Sequence, residues 1–176
     1  MKNDYRIRAQ KFVVEIAPYL LNCSERKDFQ YAIAQYNKDY NRTMKFAYGI
    51  SRIVFIGQDY VVKMTYRHSN MFGDCSSEYE MYQQAEQDGF GHLFAPITLM
   101  EYNQHEYYIM PRVHNIGKEQ YIYYYLTDEE REYLYDNEIE DLDDNYKNYG
   151  WDGNHPIIID YACNRFVAYQ PRKDDE

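Results

Sequence analysis

The stretch Asp143-Asp144-Asn145-Tyr146-Lys147-Asn148-Tyr149-Gly150-Trp151-Asp152-Gly153-Asn154-His155-Pro156-Ile157-Ile158-Ile159-Asp160 decides how this chain is read. It begins as a polar loop and tightens into a short strand around Tyr149-Gly150-Trp151. It then turns at Asp152-Gly153-Asn154 and leaves through three β-branched residues that end in a carboxylate. Asp-Gly between two apolar runs predicts a hairpin. Such a hairpin places Asp143 and Asn148 near the start of one strand and Asp160 at the end of the other. Two carboxylates and an amide at one end of a hairpin are hard oxygen donors, of the kind that hold Mg2+ and orient a hydroxyl. The plainer reading is an acidic surface loop followed by a core strand.

Upstream, the chain alternates like an antiparallel meander. Met44–Tyr48, Arg52–Ile56 and Tyr60–Met64 are predicted strands, separated by turns at Gly49-Ile50-Ser51 and Gly57-Gln58-Asp59. Lys63 closes the apolar triplet Tyr60-Val61-Val62, where a core residue is expected. A lysine is costly to bury without a negative partner. It therefore either points out of an edge strand or is held inward to meet an anion. Ser76 to Gly89 is a predicted helix, stopped by Gly89. Ser77 and Glu80 match a capping box. Glu78 shares a helix face with Met81 and Tyr82. Phe94–Glu101 and Tyr107–Val113 are two further strands joined through Tyr102–Glu106.

This succession resembles the protein-kinase-like fold, including its short relatives among bacteria and phages. Ala47-x-Gly49-x-x-Arg52-x-Val54 stands where the glycine-rich phosphate loop would be, with only one of its three glycines present. Val61-Val62-Lys63 resembles the strand that carries the ATP-contacting lysine. Glu78, preferred over Glu80, resembles the helix glutamate that pairs with that lysine. Met110 takes the place at the back of a nucleotide pocket, and Pro111-Arg112-Val113 that of the hinge facing adenine. Asp143 resembles the catalytic base, Asn148 a metal ligand, and Asp160 the metal-binding aspartate, followed by Tyr161-Ala162 in place of the common Phe-Gly. Asp141-Leu142 offers a second frame for the loop. The five-residue step from Asp143 to Asn148 favours the first.

With two N-terminal helices read from their own apolar spacing, the resemblance, which runs from about residue 45 to 165, implies an α+β fold in three parts. Residues 1–43 form an N-terminal helical brace, 44–113 an N-lobe-like antiparallel sheet with one packed helix, and 114–176 a truncated C-lobe-like segment with the catalytic-loop-like hairpin. It implies ATP and Mg2+ as ligands. The function expected is phosphoryl transfer to a protein, or a degenerate pseudokinase that keeps the fold. The alternative is a non-catalytic, acidic, phage-type protein that binds a host factor, with nucleic-acid mimicry as a special case.

The rest of the chain bounds these readings. Ile7, Phe12, Val13, Ile16, Tyr19 and Leu20 suggest a first helix ended by Pro18. Ser24 is the expected cap of a second helix, which reaches about Asn41 and buries Phe29, Ile33, Ala34 and Tyr36. The net charge of −10 disfavours direct nucleic-acid contact and anionic lipid. No apolar run is long enough to span a bilayer, and the opening residues do not read as a signal peptide. A cytoplasmic protein with a protein partner is the expectation. Three cysteines and five histidines lie far apart, without the spacing of a zinc site or a disulfide frame. The 23 tyrosines are spread along the chain and read as half-buried packing. Ten acids and one base between Asp128 and Asp144 read as a solvated helix face, with Thr127 and Glu130 as its capping box.

Overall fold

The computed structural model describes residues 4–49, 51–66, 75–115, 122–139, 148–152 and 155–160. The fold is α+β, with four α-helices and eight strands among the described residues. Helices α1 (Asp4–Leu20) and α2 (Arg26–Asp39) come first. Strands β1 (Lys45–Tyr48), β2 (Arg52–Ile56) and β3 (Tyr60–Thr65) follow, then helix α3 (Cys75–Asp88). A 3-10 turn at Gly91–Leu93 leads to β4 (Thr98–Tyr102), β5 (His105–Pro111) and β6 (His114–Asn115). A second 3-10 turn at Ile122–Tyr125, helix α4 (Asp128–Asp136), β7 (Tyr149–Trp151) and β8 (Pro156–Ile158) complete the order.

The chain forms two compact units. One comprises Met1–Arg67 with Ala95–Val113, the other His68–Phe94 with His114–Glu176. The first holds α1, α2 and a five-stranded antiparallel sheet in the order β1-β2-β3-β5-β4. Its core is built by period-two alternation. Ile53 and Phe55 on β2, Tyr60, Val62 and Met64 on β3, and Tyr107 and Ile109 on β5 all turn to one face. There they meet Ala9, Phe12, Val13, Ile16 and Leu20 of α1 and Phe29, Ile33 and Tyr36 of α2. The two N-terminal helices are thus half of this unit's core.

Several local expectations are corrected here. Pro18 lies inside α1, which continues to Leu20. The cap of α2 is Glu25, not Ser24. The Asp28 carboxylate accepts the N–H groups of Ser24 at 3.1 Å and Glu25 at 2.9 Å, which sets the first turn one residue later. Ala32 rather than Ala34 is buried, because the stripe through Phe29, Ile33 and Tyr36 passes over position 32. Ile7 lies off the α1 stripe and is 64% exposed. Ser77 is inside α3, so the Ser77–Glu80 capping box is not formed. Phe94 to Ile97 is not strand; Phe94 caps the 3-10 turn and β4 starts at Thr98.

The turns carry their own chemistry. Gly57 opens the β2–β3 turn, and a Cβ there would fall 2.4 Å from the ring of Tyr60. Arg112 clamps that turn, donating from its backbone to the Asp59 carbonyl and from its guanidinium to the Gly57 carbonyl, each at 3.0 Å. Arg8 of α1 pairs with the Asp59 carboxylate. The β4–β5 loop is only Asn103-Gln104, both left-handed at φ 49° and 64°. That is the geometry of a type I′ turn, for which Asn-Gly is preferred. Gln104→Gly should therefore stabilise the protein by about 0.5–1 kcal/mol, because it relieves a left-handed side chain. Urea denaturation reads this directly, and a lower midpoint would refute it.

The second unit contains α3, α4 and the small antiparallel sheet β6-β7-β8. Gly89, at φ 87°, ends α3 as its sequence predicts. The N–H of Phe90 reaches back to the Ala85 carbonyl at 2.8 Å and that of Gly89 to Glu86 at 3.4 Å. Thr127 caps α4 in the predicted capping box: Glu130 N–H donates to Thr127 Oγ1 at 3.2 Å, and Thr127 N–H donates to Glu130 Oε2 at 2.7 Å. Phe90 stacks on Tyr133 of α4 with ring centroids 4.2 Å apart.

Candidate functional site

Lys63 lies on β3, the central strand of the sheet, with Val54 and Tyr108 as its cross-strand neighbours. The edge-strand reading is thereby excluded. The side chains of Tyr60, Val62 and Met64 take the helix-covered face, so Lys63 falls on the opposite one. It is only 7% exposed. An ammonium group at that depth is tolerated only where negative charge or hydrogen-bond acceptors meet it. Met110, two positions on from Tyr108 along β5, is buried and pairs with Val61. Val113 is half-buried, two residues beyond the end of β5.

Gly49 and Arg52 flank the β1–β2 turn. The Gly49 N–H donates to the Arg52 carbonyl at 2.8 Å, and Tyr66 Oη donates to the Gly49 carbonyl at 3.3 Å. Among the described residues, a Cβ on Gly49 would meet only the Arg52 carbonyl oxygen, at 3.7 Å. The turn itself therefore does not demand a glycine.

In the second unit, Glu78 is fully buried and Glu80 is exposed. Glu78 occupies the first turn of α3, on the face it shares with Met81 and Ala85. The unsatisfied N–H groups of a helix's first turn favour a carboxylate there. The β7–β8 hairpin pairs Tyr149 with Ile158 and Trp151 with Pro156. Strand β8 is Pro156–Ile158, so Ile159 and Asp160 lie just past its end. The Asn148 carbonyl accepts the N–H of Ile159 at 2.7 Å and that of Asp160 at 3.2 Å. Asn148 and Asp160 are thus brought together at one end of the hairpin, both half-buried. Their amide and carboxylate oxygens are the hard donors that Mg2+ takes alongside phosphate and water. Asp143 and the second-frame residue Asp141 lie outside the described residues.

The structure also gathers residues that carry no sequence motif. One ring nitrogen each from His92 and His155 and a carboxylate oxygen of Glu130 lie within 4.8 Å of one another. His92 Nε2 is 2.8 Å from Glu130 Oε1. Burial pushes the Glu130 carboxyl up, but the bonds from His92 and the Thr127 N–H outweigh it and hold it below the usual glutamate range. No spacing rule joins positions 92, 130 and 155. The one local signal, Thr127-x-x-Glu130, accounts for Glu130 as a helix cap and not as a ligand.

Comparison with family models, with curated proteins and with solved structures returns no match to this chain. Among the described residues no helix is long and apolar enough to cross a membrane.

Proposed function

We propose that this chain is a minimal kinase-like protein that binds Mg2+-ATP and transfers phosphate to a protein, or a pseudokinase that keeps the nucleotide site alone. The observation that carries this reading is Lys63, a lysine buried on the central strand of an antiparallel sheet. Three features support it. The helix that follows β3 buries one acid, Glu78, and exposes the next, Glu80. The sheet is antiparallel, with that helix inserted in sequence between β3 and β4. The hairpin joins Asn148 to Asp160.

In this reading Lys63 and Arg52 meet phosphate, and the exposed backbone at Gly49 leaves room for its approach. Glu78 takes the place of the helix glutamate of the kinase-like fold. Met110 and the hinge through Val113 receive the base. Asn148 and Asp160 would hold Mg2+, which when bound neutralises charge on the transferring phosphates. Asp143 accepts the proton of the attacking hydroxyl.

The competing reading gives the work to the acidic segment of α4. There Glu130 is used as a cap, and Asp128 and Glu129 sit in the first turn, where the helix dipole favours acids. These acids have a structural use without a partner.

Calorimetric titration of Mg2+-ATP into the protein, Lys63→Met and Asp160→Ala tests the proposal. Lys63→Met keeps the buried stem and removes the charge. Submillimolar binding that each substitution weakens by about tenfold or more is expected, equivalent to losing at least ~1.4 kcal/mol. Circular dichroism checks that both variants remain folded. No binding at millimolar nucleotide would sink the nucleotide reading and move the search to protein partners.

A further inference from the structure

We infer that His92, Glu130 and His155 form a binding site for a divalent transition ion of the zinc class. The three side chains come from separate pieces of the second unit: the 3-10 turn Gly91–Leu93, the first turn of α4, and the residue before β8. A site built this way ties three elements together, so an ion there acts as a staple.

The donors suit that ion and not magnesium. Two imidazoles and one carboxylate form a set that zinc takes with three protein ligands and an open position, whereas Mg2+ seeks an all-oxygen shell. The present distances, up to 4.8 Å between donor atoms, exceed the separation of two ligands on one zinc by about 1–1.5 Å. Side-chain rotation covers that gap. His92, whose side chain is 52% exposed, is the member with room to move and leaves a path for entry.

The surrounding hydrogen bonds prepare the other two. His155 Nδ1 lies 2.6 Å from the carbonyl oxygen of Pro156. A carbonyl only accepts, so the proton is on Nδ1 and the lone pair is on Nε2. This is the arrangement in which ligating histidines are held, with one ring N–H fixed by a backbone carbonyl. Glu130 divides its oxygens: Oε2 accepts from the Thr127 N–H at 2.7 Å, and Oε1 faces His92. The helix cap thereby fixes the carboxylate through Oε2, while Oε1 shares a proton with His92 Nε2 that an ion taking both atoms would release. The rings of His92 and His155 stand 5.6 Å apart at 63°, so the two imidazoles converge without stacking.

The test uses the whole chain, stripped of metal by a chelator and then given zinc alone, with magnesium as the control. One zinc per chain, a raised unfolding temperature, and movement of the His92 and His155 imidazole NMR signals are expected. Magnesium should do none of these. His155→Gln should weaken zinc binding by at least about tenfold. Glu130→Gln retains a side-chain oxygen for the cap and should weaken binding as well. Absence of zinc binding at submillimolar concentration would overturn the proposal. So would binding that leaves both imidazole signals in place, since the ion would then sit on the cysteines or on other histidines. The NMR readout on the unaltered protein decides the matter even where a variant fails to fold. The outcome is independent of the nucleotide titration, because no residue is shared between the two sites.

Discussion

Phe12→Ala is expected to destabilise the sheet-bearing unit by about 3–5 kcal/mol, the range for deleting a buried aromatic ring. Phe12 is 1% exposed and is the point where three parts of the core meet. Its ring packs edge-on to Tyr36 of α2 at 5.7 Å, against Phe55 of β2 at 5.4 Å, and against Tyr60 of β3 at 5.9 Å. Truncation opens a cavity bordered by two helices and two strands. None of these elements can collapse into it without breaking register with its neighbours. Chemical denaturation followed by circular dichroism measures the loss. A change below about 1 kcal/mol would mean that α1 only leans on the sheet, as a separable brace would.

The prediction bears on function, because α1 and α2 occupy the face of the sheet opposite Lys63. Under the proposed nucleotide-binding function, a variant that loosens Phe12 should weaken binding through loss of fold, with the binding stoichiometry of the folded fraction unchanged. Lys63→Met should do the reverse and weaken binding by about tenfold or more in a protein that stays folded. The two variants separate stability from ligand contact.

Sequence patterns that rest on apolar runs between turn residues and on single strong signals were legible. Arg52–Ile56 and Tyr60–Met64, set off by the turns around Gly49 and Gly57, lie where β2 and β3 are found, while only the structure shows that Ile53, Phe55, Tyr60, Val62 and Met64 are the members that face the helices. Gly89 and Thr127 act through backbone geometry that few other residues supply. Signals with several competing candidates were not decided by the sequence. Ser24 and Glu25 stand side by side, and the choice fell to where the Asp28 carboxylate could reach both N–H groups. Phe94-Ala95-Pro96-Ile97 is apolar enough for a strand. Phe94, however, ends a 3-10 turn and bridges to Ile158. Lys63 could be singled out because a charge interrupting an apolar run has few explanations. The His92, Glu130 and His155 group could not, because its members are joined only by tertiary packing.

The second large effect is expected at high pH. Tyr36, Tyr60 and Tyr107 belong to the same core, and burial pushes each hydroxyl up to about 12. At Tyr36 the neighbouring Arg42 pulls the other way and Glu15 adds to the rise, but burial dominates. Tyr107 Oη is buried with no hydrogen-bond partner among the described residues. In the unfolded chain a tyrosine ionises near pH 10. Between about pH 10 and 12 the folded state therefore holds protons that the unfolded state has released, and stability falls as pH rises. Each hydroxyl contributes on the order of 2–3 kcal/mol to that loss. Three together are comparable to the whole stability of a typical domain, about 5–15 kcal/mol. The sheet-bearing unit should accordingly unfold cooperatively before pH 12. Tyrosinate absorbance should show a steep final phase that coincides with loss of the circular dichroism signal. Tyr60→Phe combined with Tyr107→Phe removes two of the three groups and should move that final phase to higher pH. Tyr107→Phe should also raise stability at neutral pH by about 1 kcal/mol, since it deletes an unsatisfied buried hydroxyl. A single titration centred near 10 with the dichroism signal intact would show that these hydroxyls reach water. It would place Tyr36, Tyr60 and Tyr107 on a wet surface, and the packing of α1 and α2 against the sheet would have to be abandoned with them.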